Sequence, residues 1–466
     1  MASLTLVLAL VFIALLLVRD SRRRASISAA VWIPTFLLLI LGSRPVSLWL
    51  GGGASFSGMG NDAERSPLDQ AFYLSILALS WIVVSLRQVK WHKLFAANAW
   101  IMLLYLFFAV SVLWSDDLVG SSKRLFKDFG MVSVISVILS EKDPLEAIRA
   151  VYFRCACVLF PLSVVVIRYF PNIGRGYTIA GEPMFSGVTT QKNTLGEIIL
   201  VFSLFLIWDC LEARPAGAKR PWIGTQWDRL VLLLMGVWLL NMSQSKTALM
   251  CLLIGVSLIL RRGWLASSVR INKMVLFGAL SIPFLLLFTQ QINSIIAPVV
   301  EALGRNMTFT GRSEIWEHIT FATVNPLVGA GYWNFWGGKG GLAISQAMNT
   351  AVPNAHNGYL DIYLDGGLIA LVLLFCVLVT SGKRLIANLH LNRYQRVRFA
   401  VLIVMIFYNL TESTFARLTP IWFTTLLVLI EFPPLKTGMR KSQGSLHRGN
   451  EGIRSSTADF LRCANQ

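Results

Sequence analysis

Charge is scarce in this sequence. Only 14% of its 466 residues are Asp, Glu, Lys or Arg, against roughly 25% in soluble domains. A water-soluble globular domain is thereby excluded. Histidine and cysteine are few as well, at five and six. Cys155, Cys157, Cys210, Cys251 and Cys376 fall in or beside apolar segments, and Cys463 lies in the tail. Neither a disulfide framework nor a zinc-type spacing results. Nucleotide and protease signatures are missing too. There is no Walker A loop, no HExxH and no dinucleotide fingerprint, and "GGKGG" at 337–341 lacks P-loop spacing.

What the chain does have is apolar length. It is 55% hydrophobic, with a mean hydropathy of +0.62. Apolar runs lie near 2–18, 29–50, 70–86, 94–114, 128–140, 148–170, 194–210, 229–242, 246–260, 274–298, 358–380, 398–410 and 419–433. A bilayer crossing needs about 20 such residues, and backbone polar groups in lipid must pair internally. The expectation is an all-α polytopic membrane protein with about 13 spans (12–14). Residues 1–433 form the membrane domain, and 434–466 a basic, disordered cytoplasmic tail.

The net charge of +18 would suggest nucleic acid in a soluble protein. Here Lys and Arg cluster in short loops between apolar runs, the pattern of cytoplasmic loops. No nucleic-acid partner is implied. "RDSRRR" at 19–24 follows the first run instead of preceding it, unlike a signal peptide. That order implies an N-terminus outside the cytoplasm and a C-terminus inside. Five of the six loops then assigned to the cytoplasm are basic. The outer loops are richer in Gly and Pro, and one of them, 299–357, is long. It begins near "GRSEIWEHI", an amphipathic helix, and ends in "PNAHNGYLDIYLDGG".

This topology sorts the polar residues. His92, His390 and His447 fall on the cytoplasmic side; His318 and His356 face outward. His318 reads as a solvated helix residue. His356 stands at the start of a membrane helix and can exchange a proton near neutral pH. Its surroundings also fit a plain helix start, capped by Asn354 or Asn357. Lys123, Arg124, Lys192, Lys246, Arg312 and Arg417 are cations on the disfavoured outer side. A shared anionic head group such as a diphosphate would account for them; interfacial snorkelling would account for each singly. Tyr332, Trp333, Phe335 and Trp336 sit among glycines, suited to sugar stacking or to an interfacial belt. Asp361 and Asp365 share a helix face and could orient His356 or hold a cation. Glu182, Glu197 and Glu412 are further outer candidates.

Six stretches in order, "TTQKNTLGE" (189–197), "SQSKTAL" (243–249), "TGRSEIW" (310–316), "GAGYWNFW" (329–336), "HNGYLDIYLDGG" (356–367) and "TES" (411–413), resemble the O-antigen ligase-related family of membrane glycosyltransferases. The resemblance spans about 120–430. It implies transfer of a glycan from polyprenyl diphosphate to an acceptor hydroxyl at the outer, periplasmic face of the bacterial inner membrane. His356 would be the base and Arg312 a diphosphate ligand. The family's other arginine position holds Lys246, which keeps the charge but loses the bidentate fork. Lys192, Arg124 and Arg417 join this expected anion set. Asn357, Tyr332, Trp333, Trp336, Asp361 and Glu412 are expected to bind sugar or support the site. Asp365 and Ala370 depart from the family pattern at "DGGLIA".

The resemblance implies no nucleotide sugar and no obligatory metal. Expected partners are the polyprenyl-diphosphate-linked oligosaccharide, the acceptor glycan, membrane lipids, a flippase and a chain-length regulator. Polymerisation of exopolysaccharide repeat units is the first expectation. The alternatives are an O-antigen ligase acting on lipid A–core and, from another class, a transporter of lipid-linked sugars.

Overall fold

A computed structural model describes residues 1–51, 66–177, 181, 183–212, 222–261, 268–287, 312–320 and 324–433. The helices are α1 (Ala2–Arg23), α2 (Trp32–Leu41), α3 (Pro67–Leu86), α4 (Trp91–Ala97), α5 (Ala99–Ser111), α6 (Leu118–Leu139), α7 (Pro144–Tyr169) and α8 (Lys192–Glu212). They continue as α9 (Trp222–Ser243), α10 (Lys246–Leu260), α11 (Val269–Leu287), α12 (Arg312–Thr320), α13 (Lys339–Ala347), α14 (Gly358–Asn388), α15 (Arg393–Tyr408) and α16 (Pro420–Leu429). Two short strands, β1 (Arg175–Tyr177) and β2 (Pro183–Phe185), pair antiparallel.

Helix starts follow local chemistry. Asp117, Asp143, Ser245, Asn357, Asn392 and Thr419 each accept a backbone N–H from the turn that follows. Those N–H groups have no partner inside the helix. Pro144 and Pro420 occupy first-turn positions, where proline loses no hydrogen bond.

Five helices, α1, α3, α7, α8 and α14, are long and apolar enough to cross a membrane. The α4–α5 pair makes a sixth candidate if counted as one span, although it bends by 98°. The remaining apolar stretches also carry helices, but these are shorter or more polar. Burial separates inner from outer helices: α7 and α8 are covered on nearly all sides, whereas α1 and α3 leave most of their apolar surface exposed. α8 contacts α7, α9, α10 and α16, so the others wrap around it.

Helix α14 is broken. Gly367 has φ +63° and ψ −163°, inside an otherwise helical run. An unbroken helix would pair Leu368 N–H with Leu364 O and Ile369 N–H with Asp365 O. All four groups turn instead to the segment 326–331. Leu368 and Ile369 donate to Pro326 O (2.8 Å) and Leu327 O (3.1 Å), while Leu364 O and Asp365 O accept from Ala330 and Gly331 (both 2.9 Å). The inserted segment thus satisfies the groups that the break frees, as an apolar setting requires. Glycine is demanded on both partners. A Cβ on Gly367 would lie 2.3 Å from the Leu327 carbonyl, and one on Gly329 (φ +67°) would lie 2.5 Å from the Asp365 carbonyl carbon. After the break about 20 residues of α14 remain, itself a membrane-spanning length.

Candidate functional site

The segment between α11 and α14 builds its own small core. Ile315 and Ile319 of α12, Ile344 of α13, Phe335, Val352 and Ala355 pack together with Leu364 of α14. Ala355 is therefore buried, and the next residue is His356. Trp316 donates its indole N–H to Ala355 O (2.9 Å), and Ala355 N–H donates to Asp361 Oδ1 (3.0 Å). His356 itself takes a left-handed backbone, φ +51°, uncommon for any side-chain-bearing residue. Asn354 Oδ1 accepts its N–H at 2.9 Å. Strain held in place by surrounding structure is a frequent mark of functional positions.

The His356 side chain is 28% exposed, so one face is open. Its Nδ1 lies 3.7 Å from Glu412 Oε2 and has no hydrogen-bond partner among the described residues. Glu412 is held from the other side by Asn193 Nδ2, which donates to Oε1 at 2.9 Å. Its carbonyl, with that of Asn409, accepts from Gly358 N–H. The "TES" turn is thus fastened to the start of α14. Asn193 follows Lys192, the first residue of α8, and Lys246 is the first residue of α10. Thr247 and Thr411 hydroxyls meet at 2.8 Å, bringing the α10 start to the same turn.

A cavity of about 370 Å³ opens beside this group. Asn354 and Ser413, close neighbours of His356 and Glu412 in sequence, line it, together with Arg124, Arg417, Trp333 and Trp336. The guanidinium groups of Arg417 and Arg124 lie 4.2 Å and 5.1 Å from the Trp333 ring centre, within cation–π range. Arg124 also donates to Trp333 O (3.2 Å). Trp333 is another left-handed residue, as is Ala416, whose carbonyl accepts the Trp333 indole N–H (3.1 Å). Three of the six left-handed non-glycine residues among the described ones therefore cluster here.

Asp361 and Asp365 acquire defined partners. Asp365 accepts from Arg417 (3.0 Å) and from Phe335 N–H (3.3 Å). Asp361 accepts from the Trp336 indole (2.8 Å) and stands 3.6 Å from Arg417. The pair binds an arginine and pins the 333–336 turn; neither carboxylate is directed at His356.

Several expected residues are thus drawn together, and others are not. Arg124, Arg417, Trp333 and Trp336 share the cavity; Lys192 and Lys246 stand on the Glu412 side, away from its lining. Of the two roles expected for Tyr332, the structure leaves support. It is 1% exposed, packs on Phe108 at 4.9 Å, and its hydroxyl lies within 3.2 Å of Asp128 and Ala416 O, so it cannot stack on a sugar. Asn357 is the α14 cap, accepting from Tyr359 and Leu360 N–H. Arg312 opens α12, but its side chain lies outside the described residues, as does Glu182. Glu197 is buried and accepts from Ile421 N–H. His318 is exposed on α12. Sequence reasoning missed Lys127 and Tyr73, which also line the cavity. Lys127 is one turn after Arg124 on α6, a spacing that could have flagged it.

A membrane protein of helices with a cavity and a partly open histidine at one end is the class these features define. Within it, residues 230–375 match the O-antigen ligase family model, a stretch that holds Lys246, Trp333, His356 and both α14 aspartates. The exopolysaccharide production protein ExoQ of Rhizobium meliloti (strain 1021) is 25% identical over 325 residues, covering 66% of this chain and 70% of the relative. Together these matches support the O-antigen ligase-related family for this chain.

Proposed function

We propose that this protein is a polysaccharide polymerase that joins polyprenyl-diphosphate-linked repeat units. It would act at the periplasmic face of the inner membrane, with thirteen spans, an outer N-terminus and an inner C-terminus. The observation that carries the reading is His356, open on one face, with Nδ1 turned toward Glu412. A carboxylate facing Nδ1 favours the proton on that nitrogen and leaves Nε2 free as the acceptor. His356 then takes the proton of the acceptor hydroxyl as its oxygen attacks the anomeric carbon. The carbon–oxygen bond to phosphate breaks, and its electron pair leaves with polyprenyl diphosphate. The donor carries its own activation, so no nucleotide is consumed.

Cations near a departing diphosphate lower the barrier by stabilising its charge. Lys192 and Lys246 suit that role. Both begin helices, whose N-termini are electropositive, and both adjoin the turn that carries Glu412. Arg312 joins them as the diphosphate ligand that the resemblance implies. Glu412 is a positioning residue in this scheme, steadied by Asn193.

The relative's role in exopolysaccharide production favours polymerisation; the family model's description keeps O-antigen ligation as the second reading. A transporter of lipid-linked sugars is less suited. The break in α14 is plugged by segment 326–331, where a transporter would leave a substrate cavity. The direct test is a strain carrying only His356→Ala, with the variant's membrane level confirmed. Loss of long polymer is expected; normal polymer would refute the catalytic role. Deleting the gene separates the two transferase readings. Loss of secreted polymer with intact lipopolysaccharide marks a polymerase, and the opposite marks a ligase.

A further inference from the structure

The cavity beside Trp333 was expected to help hold the diphosphate, but its charges argue otherwise. Arg124, Lys127 and Arg417 line it, and so does Asp69, while Asp361 and Asp365 stand against Arg417. One carboxylate, Asp69, thus shares the lining with three cations, and the charge of Arg417 is already matched from behind by Asp361 and Asp365, which lie outside the lining. A diphosphate brought to Arg417 would have to compete with a carboxylate already at 3.0 Å and would be repelled by it. Burial makes that repulsion larger than at an open surface.

The same wall suits a sugar ring. Trp336 supplies aromatic surface, while Tyr73 carries the Lys127 ammonium over its ring (5.1 Å) and Trp333 is occupied in ordering its two arginines. Asn354 and the two guanidinium groups add polar edges. Ser413 Oγ, which is buried, finds no hydrogen-bond partner among the described residues. A buried hydroxyl without a partner is costly, and a sugar hydroxyl would supply one. The volume of about 370 Å³ falls in the range of small-ligand sites.

Position agrees with composition. Contacts run from Asn193 to Glu412, from Glu412 to His356, and from His356 N–H to Asn354 at the cavity. The base is therefore linked to the Lys192 helix start through Glu412 and Asn193, and to the cavity wall through Asn354. In a displacement at the anomeric carbon the entering oxygen and the leaving oxygen occupy different sides of the reacting carbon. With the diphosphate on the lysine side, the cavity is left for the entering sugar.

We propose that this cavity is the acceptor-glycan subsite, taking a sugar ring of the incoming repeat unit against Trp336 and holding no diphosphate. The assignment rests on the glycosyl-transfer reading above. The bond that forms is from the acceptor hydroxyl oxygen to the donor anomeric carbon; the bond that breaks and the proton that moves to His356 are those already given.

The test titrates purified full-length protein in lipid nanodiscs with two probes, the lipid-free repeat-unit oligosaccharide released from the host polymer and inorganic pyrophosphate. Heat of binding is recorded. Trp336→Ala should weaken oligosaccharide binding by about tenfold, the equivalent of about 1.4 kcal/mol, and leave pyrophosphate unchanged. Lys246→Ala should do the reverse. Ser413→Ala, which removes one hydroxyl and should fold normally, is expected to weaken the oligosaccharide several-fold. Pyrophosphate binding lost in the cavity variants overturns the assignment, as does a wild-type protein that binds no oligosaccharide. If His356→Ala abolishes polymer while the cavity variants bind oligosaccharide like wild type, the subsite falls and the transferase stands. If His356→Ala still makes long polymer, the transferase reading itself falls.

Discussion

The two ends of the helix bundle use charge in opposite ways. At one end, where α1 and α8 finish and α7 and α9 begin, six arginines close on four carboxylates. Arg24 reaches Asp20, Glu146 (2.6 Å) and Asp209 (3.0 Å), and Arg154 joins Asp20 (2.8 Å). Arg229 spans Asp209 (2.7 Å) and Asp228 (3.2 Å), while Arg19 and Arg23 reach Asp228 and Arg149 reaches Glu146. Arg24, Arg154 and Arg229 are buried, as are Asp20, Asp209 and Asp228. Charges so placed can do little except hold four helices together. At the other end His356 keeps an open face, Lys246 is exposed, and Arg124 and Arg417 border a cavity. Similar residue types lock the structure at one end and leave room for a ligand at the other. Burial and pairing, not residue type, tell the two uses apart.

Substitutions can break this contrast. The largest effect is expected at the open end: His356→Ala should cut polymer formation by about 10²- to 10⁴-fold without lowering the amount of folded protein in membranes. At the closed end Asp209→Ala strips the shared partner of Arg24 and Arg229. Leaving a buried charge uncompensated costs about 3–5 kcal/mol, so folded yield and thermal stability in detergent should fall sharply. Activity per folded molecule should hold. If that activity falls as steeply as in His356→Ala, the closed end is more than structural.

Glu412→Gln keeps the shape but removes the charge facing His356. Misorienting a base can cost up to about 10²-fold, so turnover should drop while KM changes little; unchanged turnover would show that Glu412 only braces the turn. Gly367→Ala forces a residue with a side chain into a backbone region that is essentially glycine-only, at about 1–3 kcal/mol, besides the clash with Leu327. Reduced stability should accompany loss of activity, because the 326–331 segment and the 333–336 turn move together. The smallest change is expected from Lys246→Arg. It restores a bidentate fork and should lower KM for the lipid-linked donor modestly, with little effect on kcat.

Much of this was legible in the sequence. The apolar runs marked where helices stand, since length and hydropathy alone decide whether a segment can pair its backbone internally. "PNAHNG" marked a helix start, and Asn357 caps it. His356 was singled out because only two histidines fell on the outer side of the expected topology. Tyr332 could not be assigned to sugar binding or to support, because composition shows an aromatic among glycines but not which way it faces. Asp361 and Asp365 looked like partners for His356, yet their partners are Trp336, Phe335 and Arg417. Those residues stand 25, 30 and 52 positions away in sequence, and no local pattern could pair them.

The sequence by itself determined the class of protein, the positions of the helices, the crowding of basic loops and the motif run that points to a family. Each of these is a local property, set by hydropathy, capping and spacing. The tertiary structure alone decided the break at Gly367 and its repair by a distant loop. It alone brought Glu412 to His356 and set Asp361 and Asp365 against Arg417 beside Trp333. These depend on which residues meet across the bundle, and that is settled only when the whole chain has packed.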